Sequence, residues 1–162
     1  MVSKWMNFAL DQASKAGARG EVPVGAVLVW NDKAIATGGN RVEELGDPTA
    51  HAEMLVIREA ARLLGTPRLS EGDLYVTLEP CPMCATALSF VRIRQVFFGA
   101  FDPKGGGVDH GPRIFEQPTC HHRPEVFGGI SEQACSLLLT NFFRKKRKST
   151  PPRSLQAQVF LR

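Results

Sequence analysis

The stretch GAVLVWNDKAIAT, residues 25–37, decides the architecture. Gly25–Trp30 is a short apolar run rich in Val, the composition of a buried strand. Asn31-Asp32 is a tight-turn pair, and Lys33–Thr37 returns as a second strand, so the two form an antiparallel hairpin. Upstream, Val2, Met6, Ala9, Leu10, Ala13 and Ala16 recur on a helical period and predict a helix over 2–16, ended by Gly17 and Gly20. Downstream, the polar residues 41–50 read as a loop. Thr49, just after Pro48, is the expected N-cap of a second helix through HAEMLVIREAARLL, which stops at Gly65. Leu74–Leu78 reads as a third strand, broken by Pro80. CPMCATALSFVRI (81–93) reads as a third helix and Gln95–Ala100 as a fourth strand. Residues 101–124 are rich in Gly and Pro and predict a loop with a short helix near Pro112–Phe115. Glu125–Phe127 is a short fifth strand, and Ser131 caps a final helix. Strands alternating with helices specify an α/β layered fold, a central sheet with helices on its faces. The hairpin makes that sheet mixed.

The 162 residues show no internal repeat and no second-domain boundary. One domain over residues 1–148 is expected, followed by a poorly ordered tail at 149–162. With 43% hydrophobic and 22% charged residues, collagen-like and wholly disordered chains are excluded. No stretch reaches the roughly 18 apolar residues of a membrane span. The N-terminal segment lacks the unbroken apolar core of a secretory signal. These features predict a cytoplasmic protein with no membrane part.

The formal charge of +4 is unevenly placed. Residues 133–162 carry seven Lys/Arg and no Asp/Glu, whereas residues 1–132 carry 13 Lys/Arg against 16 Asp/Glu. The dense part is Arg144–Lys148. Such a run fits a solvated helix end, where cations favour the macrodipole. It also fits a phosphate-binding patch, with Phe142 and Phe143 beside it.

Of the four cysteines, Cys81 and Cys84 are spaced C-x-x-C, which in a cytosolic protein points to metal or redox chemistry. His51, Cys81 and Cys84 each fall at the first turn of a predicted helix. Helix N-termini carry unpaired N–H groups and partial positive charge, which favour thiolates. Two thiolates and one imidazole nearly complete a tetrahedral zinc site, and three protein ligands with an open position is the catalytic pattern. Glu53, two residues after His51, can approach that position from the side. Zinc lowers the pKa of a bound water to about 7, and a neighbouring carboxylate can relay its proton to a leaving amine. The pair alone also fits a thioredoxin-like redox site. A closed structural site with Cys120, His121 or His122 as fourth ligand is a further reading. Cys135 reads as a core residue, and Cys120 and His110 carry no assigned role.

Taken together, His51-Ala52-Glu53 and Pro80-Cys81-Pro82-Met83-Cys84 match the zinc-deaminase signature H-x-E…P-C-x-x-C. Beyond it, PVGAVLV (23–29), Gly39-Asn40-Arg41, DPTAHAE (47–53), LYVTLEPCPMC (74–84), FGAFDPK (98–104) and NFFRKKR (141–147) resemble the bacterial tRNA-specific adenosine deaminases. The similarity runs from about residue 4 to about residue 148. The zinc motif alone also fits deaminases of free guanine or cytosine. The DPK segment and the aromatic-basic final helix favour the tRNA enzymes. The segment Gly105–Asp109 departs from the Gly-Ala…Gly-Ser pattern usual in that family.

The resemblance implies a three-layer cytidine deaminase-like fold with a five-stranded mixed sheet, in a homodimer. It implies one Zn²⁺ per subunit on His51, Cys81 and Cys84. The reaction implied is hydrolysis of adenosine to inosine at the wobble position, 34, of a tRNA anticodon stem-loop. By motif match, Glu53 shuttles protons, Asn40 hydrogen-bonds the target base and the Cys81 backbone N–H helps hold the attacking water. Asp102 and Lys104 contact loop nucleotides, and Phe143 with Arg147 lines the RNA path.

Overall fold

The computed structural model describes residues 2–150. It contains α1 (Val2–Ala18), β1 (Gly25–Trp30), β2 (Lys33–Gly39), α2 (Val42–Leu45), α3 (Ala52–Leu64), β3 (Asp73–Leu78), α4 (Pro82–Phe90), β4 (Gln95–Ala100), β5 (Glu125–Phe127) and α5 (Glu132–Ser149). A 3-10 turn spans Ile114–Glu116, overlapping the end of the short helix expected near Pro112–Phe115.

The sheet has the order β2-β1-β3-β4-β5. β1 is antiparallel to both β2 and β3, while β3, β4 and β5 run parallel. Asn31 and Asp32 both have positive φ, 49° and 55°, the geometry that lets a two-residue loop follow the strand twist. The register slips between Leu28 and Val29, a bulge within the hairpin.

Alternation along β1 separates two cores. Ala26 and Leu28 face one side, with Val56, Ile57 and Ala60 of α3, Ala85 and Leu88 of α4, and the wholly buried Phe98 of β4. Val27 and Val29 face the other, with Trp5, Met6 and Ala9 of α1, Tyr75, Phe97 and Cys135 of α5. Cys135 is therefore a core residue, as its apolar neighbours imply. The result is three layers, α1 and α5 on one face and α3 and α4 on the other. Tyr75 and Phe97 stack on adjacent strands with ring centres 4.5 Å apart, and Phe127 continues the stack at 4.9 Å from Phe97.

Three local expectations are corrected. Thr49 does not cap α3. Its N–H and hydroxyl both donate to Asp47 Oδ1, at 2.8 and 2.7 Å, so Thr49 belongs to a turn. His51, extended at φ −73° and ψ 151°, takes the N-cap position instead. Residues 41–50 are not a plain loop but contain α2, whose N-terminal amides are held from outside by Glu21. Ser131 stands at the N-cap of α5 with φ 53°, yet its side chain makes no capping bond. The helix continues through Ser149, and residues 151–162 of the expected tail lie outside the described residues.

Candidate active site

β3 and β4 are parallel and both are followed by segments that turn across the same end of the sheet. In open α/β sheets this edge is where helix N-termini and strand ends make a reactive crevice. His51 is the N-cap of α3, Cys81 the N-cap of α4, and Cys84 lies in the first turn of α4. Pro82 at the first helical position fixes φ where no N–H is needed, and so sets the turn that aims both sulfurs.

The three donor atoms converge. His51 Nδ1 is 3.6 Å from Cys81 Sγ and 3.6 Å from Cys84 Sγ. Tetrahedral zinc with ordinary Zn–S and Zn–N bonds requires an S-to-N edge of about 3.6 Å. Both S-to-N edges match that value, and the three donor atoms all lie within 4.8 Å of one another, so the residues fit a zinc ion. Among the described residues no further His, Cys, Asp or Glu joins the group. Cys120 and His122 are engaged elsewhere. The Cys120 thiol donates to the His122 carbonyl at 3.1 Å, and the His122 ring meets the Ile93 carbonyl at 2.6 Å. His121 lines a separate small pocket with Ser89 and Phe90. The closed four-ligand site does not form.

Electrostatics at the cluster follow from burial and crowding. Hydrogen bonding from Cys84, with help from His51, draws the Cys81 thiol down to about 4 despite its burial. The same hydrogen bond, together with burial and the nearby Glu53 charge, pushes the Cys84 thiol up. The bond to Cys81 raises the His51 pKa. Burial drives the Glu53 carboxyl up to about 7. Glu53 is 4% exposed and sits in the first turn of α3, facing the cleft beside the cluster. A carboxyl poised near neutrality can both take and return a proton.

The cleft measures ≈ 430 Å³ and is lined by Asn40, His51, Glu53, Cys81, Asp102 and Lys146, among others. The Asn40 side-chain oxygen accepts the Ala52 N–H at 2.8 Å, and its backbone carbonyl accepts from Arg19 at 3.2 Å. A second cavity of ≈ 770 Å³ shares Val22, Leu78, Asp102 and Gly105 with the first. It is lined by Phe101, Lys104, Phe143 and Arg147. Of the candidate site residues, all but the fully buried Cys84 border one of two adjoining hollows. Asp102 also has an internal duty: its Oδ1 accepts the N–H groups of Lys104 and Gly105, at 3.2 and 2.9 Å, and so shapes the DPKG turn.

Three residues of the site were not foreseen. Lys146 belongs to the basic run, but only the packing of α5 shows that it reaches the catalytic cleft. Glu21 is 1% exposed and accepts the Glu43 and Glu44 N–H groups at 3.2 and 2.8 Å, holding one wall. Glu79 is 2% exposed and holds the opposite wall through the 102–110 segment. Both carboxylates bond to backbone far along the chain, and no side-chain pattern announces that.

Known proteins agree with the geometry. The model of the cytidine and deoxycytidylate deaminase zinc-binding region matches residues 1–100. The chain is 57% identical over 143 residues to the tRNA-specific adenosine deaminase of Agrobacterium fabrum, covering 88% of this chain and 94% of that one. It is 49% identical over 144 residues to the tRNA-specific adenosine deaminase of Bacillus subtilis, covering 89% of each. A solved structure from work on A-to-I editing by tRNA:A34 deaminases at the wobble position of transfer RNA superposes with a TM-score of 0.83. It is 56% identical, covering 84% of this chain and 99% of that one. The chain belongs to the tRNA-specific adenosine deaminases, within the zinc-binding cytidine and deoxycytidylate deaminase family.

Proposed function

We propose that this protein hydrolyses adenosine 34 of a tRNA anticodon loop to inosine, releasing ammonia. The observation that carries this is the three-donor cluster with a buried carboxyl beside it, opening onto a hollow lined by aromatic and basic side chains. One zinc ion per subunit on His51, Cys81 and Cys84 supplies an acidified water and a Lewis acid when bound. Glu53 takes one proton from the attacking water and gives it to the ring nitrogen, then carries the second from the newly added hydroxyl to the exocyclic amine, so that the C–N bond breaks and the amine leaves as ammonia. Its burial strengthens its hold on a proton, as a proton-relaying carboxyl requires.

Asn40 fixes the base. Its oxygen is taken by Ala52, so the amide NH₂ is the group left to donate to a ring acceptor. The Cys81 N–H, at the opening of α4, helps hold the attacking water. A base stacked in its loop cannot reach this depth and must be splayed out, which single-stranded loops permit at modest cost. The flanking nucleotides then fall in the adjoining hollow. There Phe143, 42% exposed, offers a stacking face, and Lys104 and Arg147 offer charge. Asp102 stands on the wall shared by both hollows.

The deaminase unit is residues 1–148, and it acts in the cytoplasm as a homodimer. Among the described residues Phe90, 66% exposed at the end of α4, is the most exposed of the large apolar side chains and supports a subunit contact. Among the described residues no helix is long and apolar enough to cross a membrane.

Incubation with an anticodon stem-loop carrying adenosine at position 34 tests the reading. Inosine is expected. Zinc-loaded protein that leaves the stem-loop unchanged, or releases ammonia faster from free guanine or cytosine, contradicts it.

A further inference from the structure

We propose that Glu79 is a positioning residue for this reaction. Its carboxylate latches the 102–110 segment, and so sets the cleft wall against which the nucleotides flanking the target base lie. The inference rests on the RNA reading given above.

Glu79 accepts from five groups. Oε2 takes the Asp102 N–H at 2.9 Å and faces the His110 ring Nδ1 at 2.9 Å. Oε1 takes the N–H groups of Val108, Asp109 and His110 at 3.3, 2.9 and 3.0 Å. A carboxylate offers about four lone-pair sites, so this one is saturated. All four main-chain donors come from one segment, and they lie at both of its ends. The segment is closed into a loop on a single buried side chain.

The middle of that loop is pressed onto the metal turn. Gly107 N–H donates to the Pro80 carbonyl at 2.8 Å. A Cβ at Gly107 would stand 2.6 Å from Pro82 N, so only glycine fits. A Cβ at Gly106 would run into Glu79 Oε1 and the Asp102 carbonyl. The outer part of the loop carries Asp102, Lys104 and Gly105, which line the second cavity. Glu79 lines the first cleft and so stands between the metal turn and the proposed RNA wall; Phe143 and Arg147, which line the second cavity, are not among its hydrogen-bond partners. Removing the latch is expected to change where the wall sits, and the zinc content reads whether His51, Cys81 and Cys84 stay in place.

A glutamine at this position is a specific probe. It presents one acceptor oxygen and one NH₂ group. The oxygen can still serve Val108, Asp109 and His110. The NH₂ then faces the Asp102 N–H, donor against donor, whereas the His110 ring can change tautomer to suit. Glu79→Gln thus frees the Asp102 end while conserving shape.

The experiment is steady-state inosine formation on the anticodon stem-loop with zinc counted per chain, for wild type, Glu79→Gln and Lys104→Ala. Glu79→Gln is expected to raise KM on the order of tenfold, the cost of re-ordering on RNA binding a wall that has lost one charge-assisted hydrogen bond, with kcat within about twofold and zinc retained. Lys104→Ala is expected to raise KM as well; an unchanged KM there rejects the RNA wall itself. A wild-type KM for Glu79→Gln beside a raised KM for Lys104→Ala overturns the positioning role. Lost zinc, or a lowered kcat at unchanged KM, also overturns it and assigns Glu79 to the metal turn. Should Glu79→Gln fail to fold, Gly106→Ala, which drives a methyl into the same latch, reads the same split between KM and kcat.

Discussion

The side-chain oxygen of Asn40 accepts the backbone N–H of Ala52, the first residue of α3, at 2.8 Å. That bond ties the end of β2 to the helix that carries His51 and Glu53, and it fixes which end of the amide faces the cleft. Asn40→Asp keeps an acceptor for Ala52 but replaces the free NH₂ by a second oxygen. We expect kcat/KM on the stem-loop to fall roughly tenfold to a hundredfold, with the thermal midpoint little changed. Michaelis kinetics beside a melting curve decide this. A large drop in melting temperature with kcat/KM preserved would mean that Asn40 is only a brace.

Zinc removal couples activity to stability. The site is formed in the fold, so metal binding stabilises the native state by mass action. Chelation is expected to abolish turnover and lower the thermal midpoint, and added zinc to restore both. His51→Ala is expected to lower the zinc content well below one ion per chain, read by elemental analysis.

The basic end of α5 sets a salt response. For single-stranded RNA, affinity falls by about 0.7 log units per decade of salt for each phosphate contact. Arg147→Ala is expected to weaken stem-loop binding and to reduce that slope by roughly 0.7. Titrations at several salt concentrations measure it. An unchanged slope removes Arg147 from the RNA path.

Glu79 also gives the fold a pH dependence. Burial alone raises its pKa, but the hydrogen bonds from Asp102, Asp109 and His110 outweigh it and hold the carboxyl below its ordinary 4.5. A group lowered on folding contributes stability above its unfolded pKa and loses it as pH falls through the folded value. Wild type is expected to lose stability below about pH 4.5 more steeply than Glu79→Gln, by thermal melts across that range.

Much of the molecule was legible from the chain because its signals are local. The hairpin at 25–37 declares a mixed sheet through apolar runs around a turn pair. His51, Cys81 and Cys84 declare a metal site because ligand spacing on helix starts is a sequence property. What escaped is non-local. Glu21 and Glu79 act through backbone amides 22 to 31 residues away, and their side chains carry no pattern of their own. α2 is a four-residue helix whose N-terminal amides are served by Glu21 from outside the segment. Thr49 misled for a similar reason: Asp47 claims it, and the cap passes to His51. Lys146 could be read as basic but not as a cleft residue until α5 was packed across the sheet end.

One carboxyl beside one metal cluster is the centre of the proposed chemistry on RNA. Single-turnover inosine formation on the adenosine-34 stem-loop, with zinc counted in wild type and Glu53→Gln, tests it most directly. We expect rapid inosine formation by wild type. The variant is expected to be about 10²- to 10⁴-fold slower with its zinc and fold intact. A Glu53→Gln protein that retains its zinc and edits the stem-loop at the wild-type rate would contradict the account.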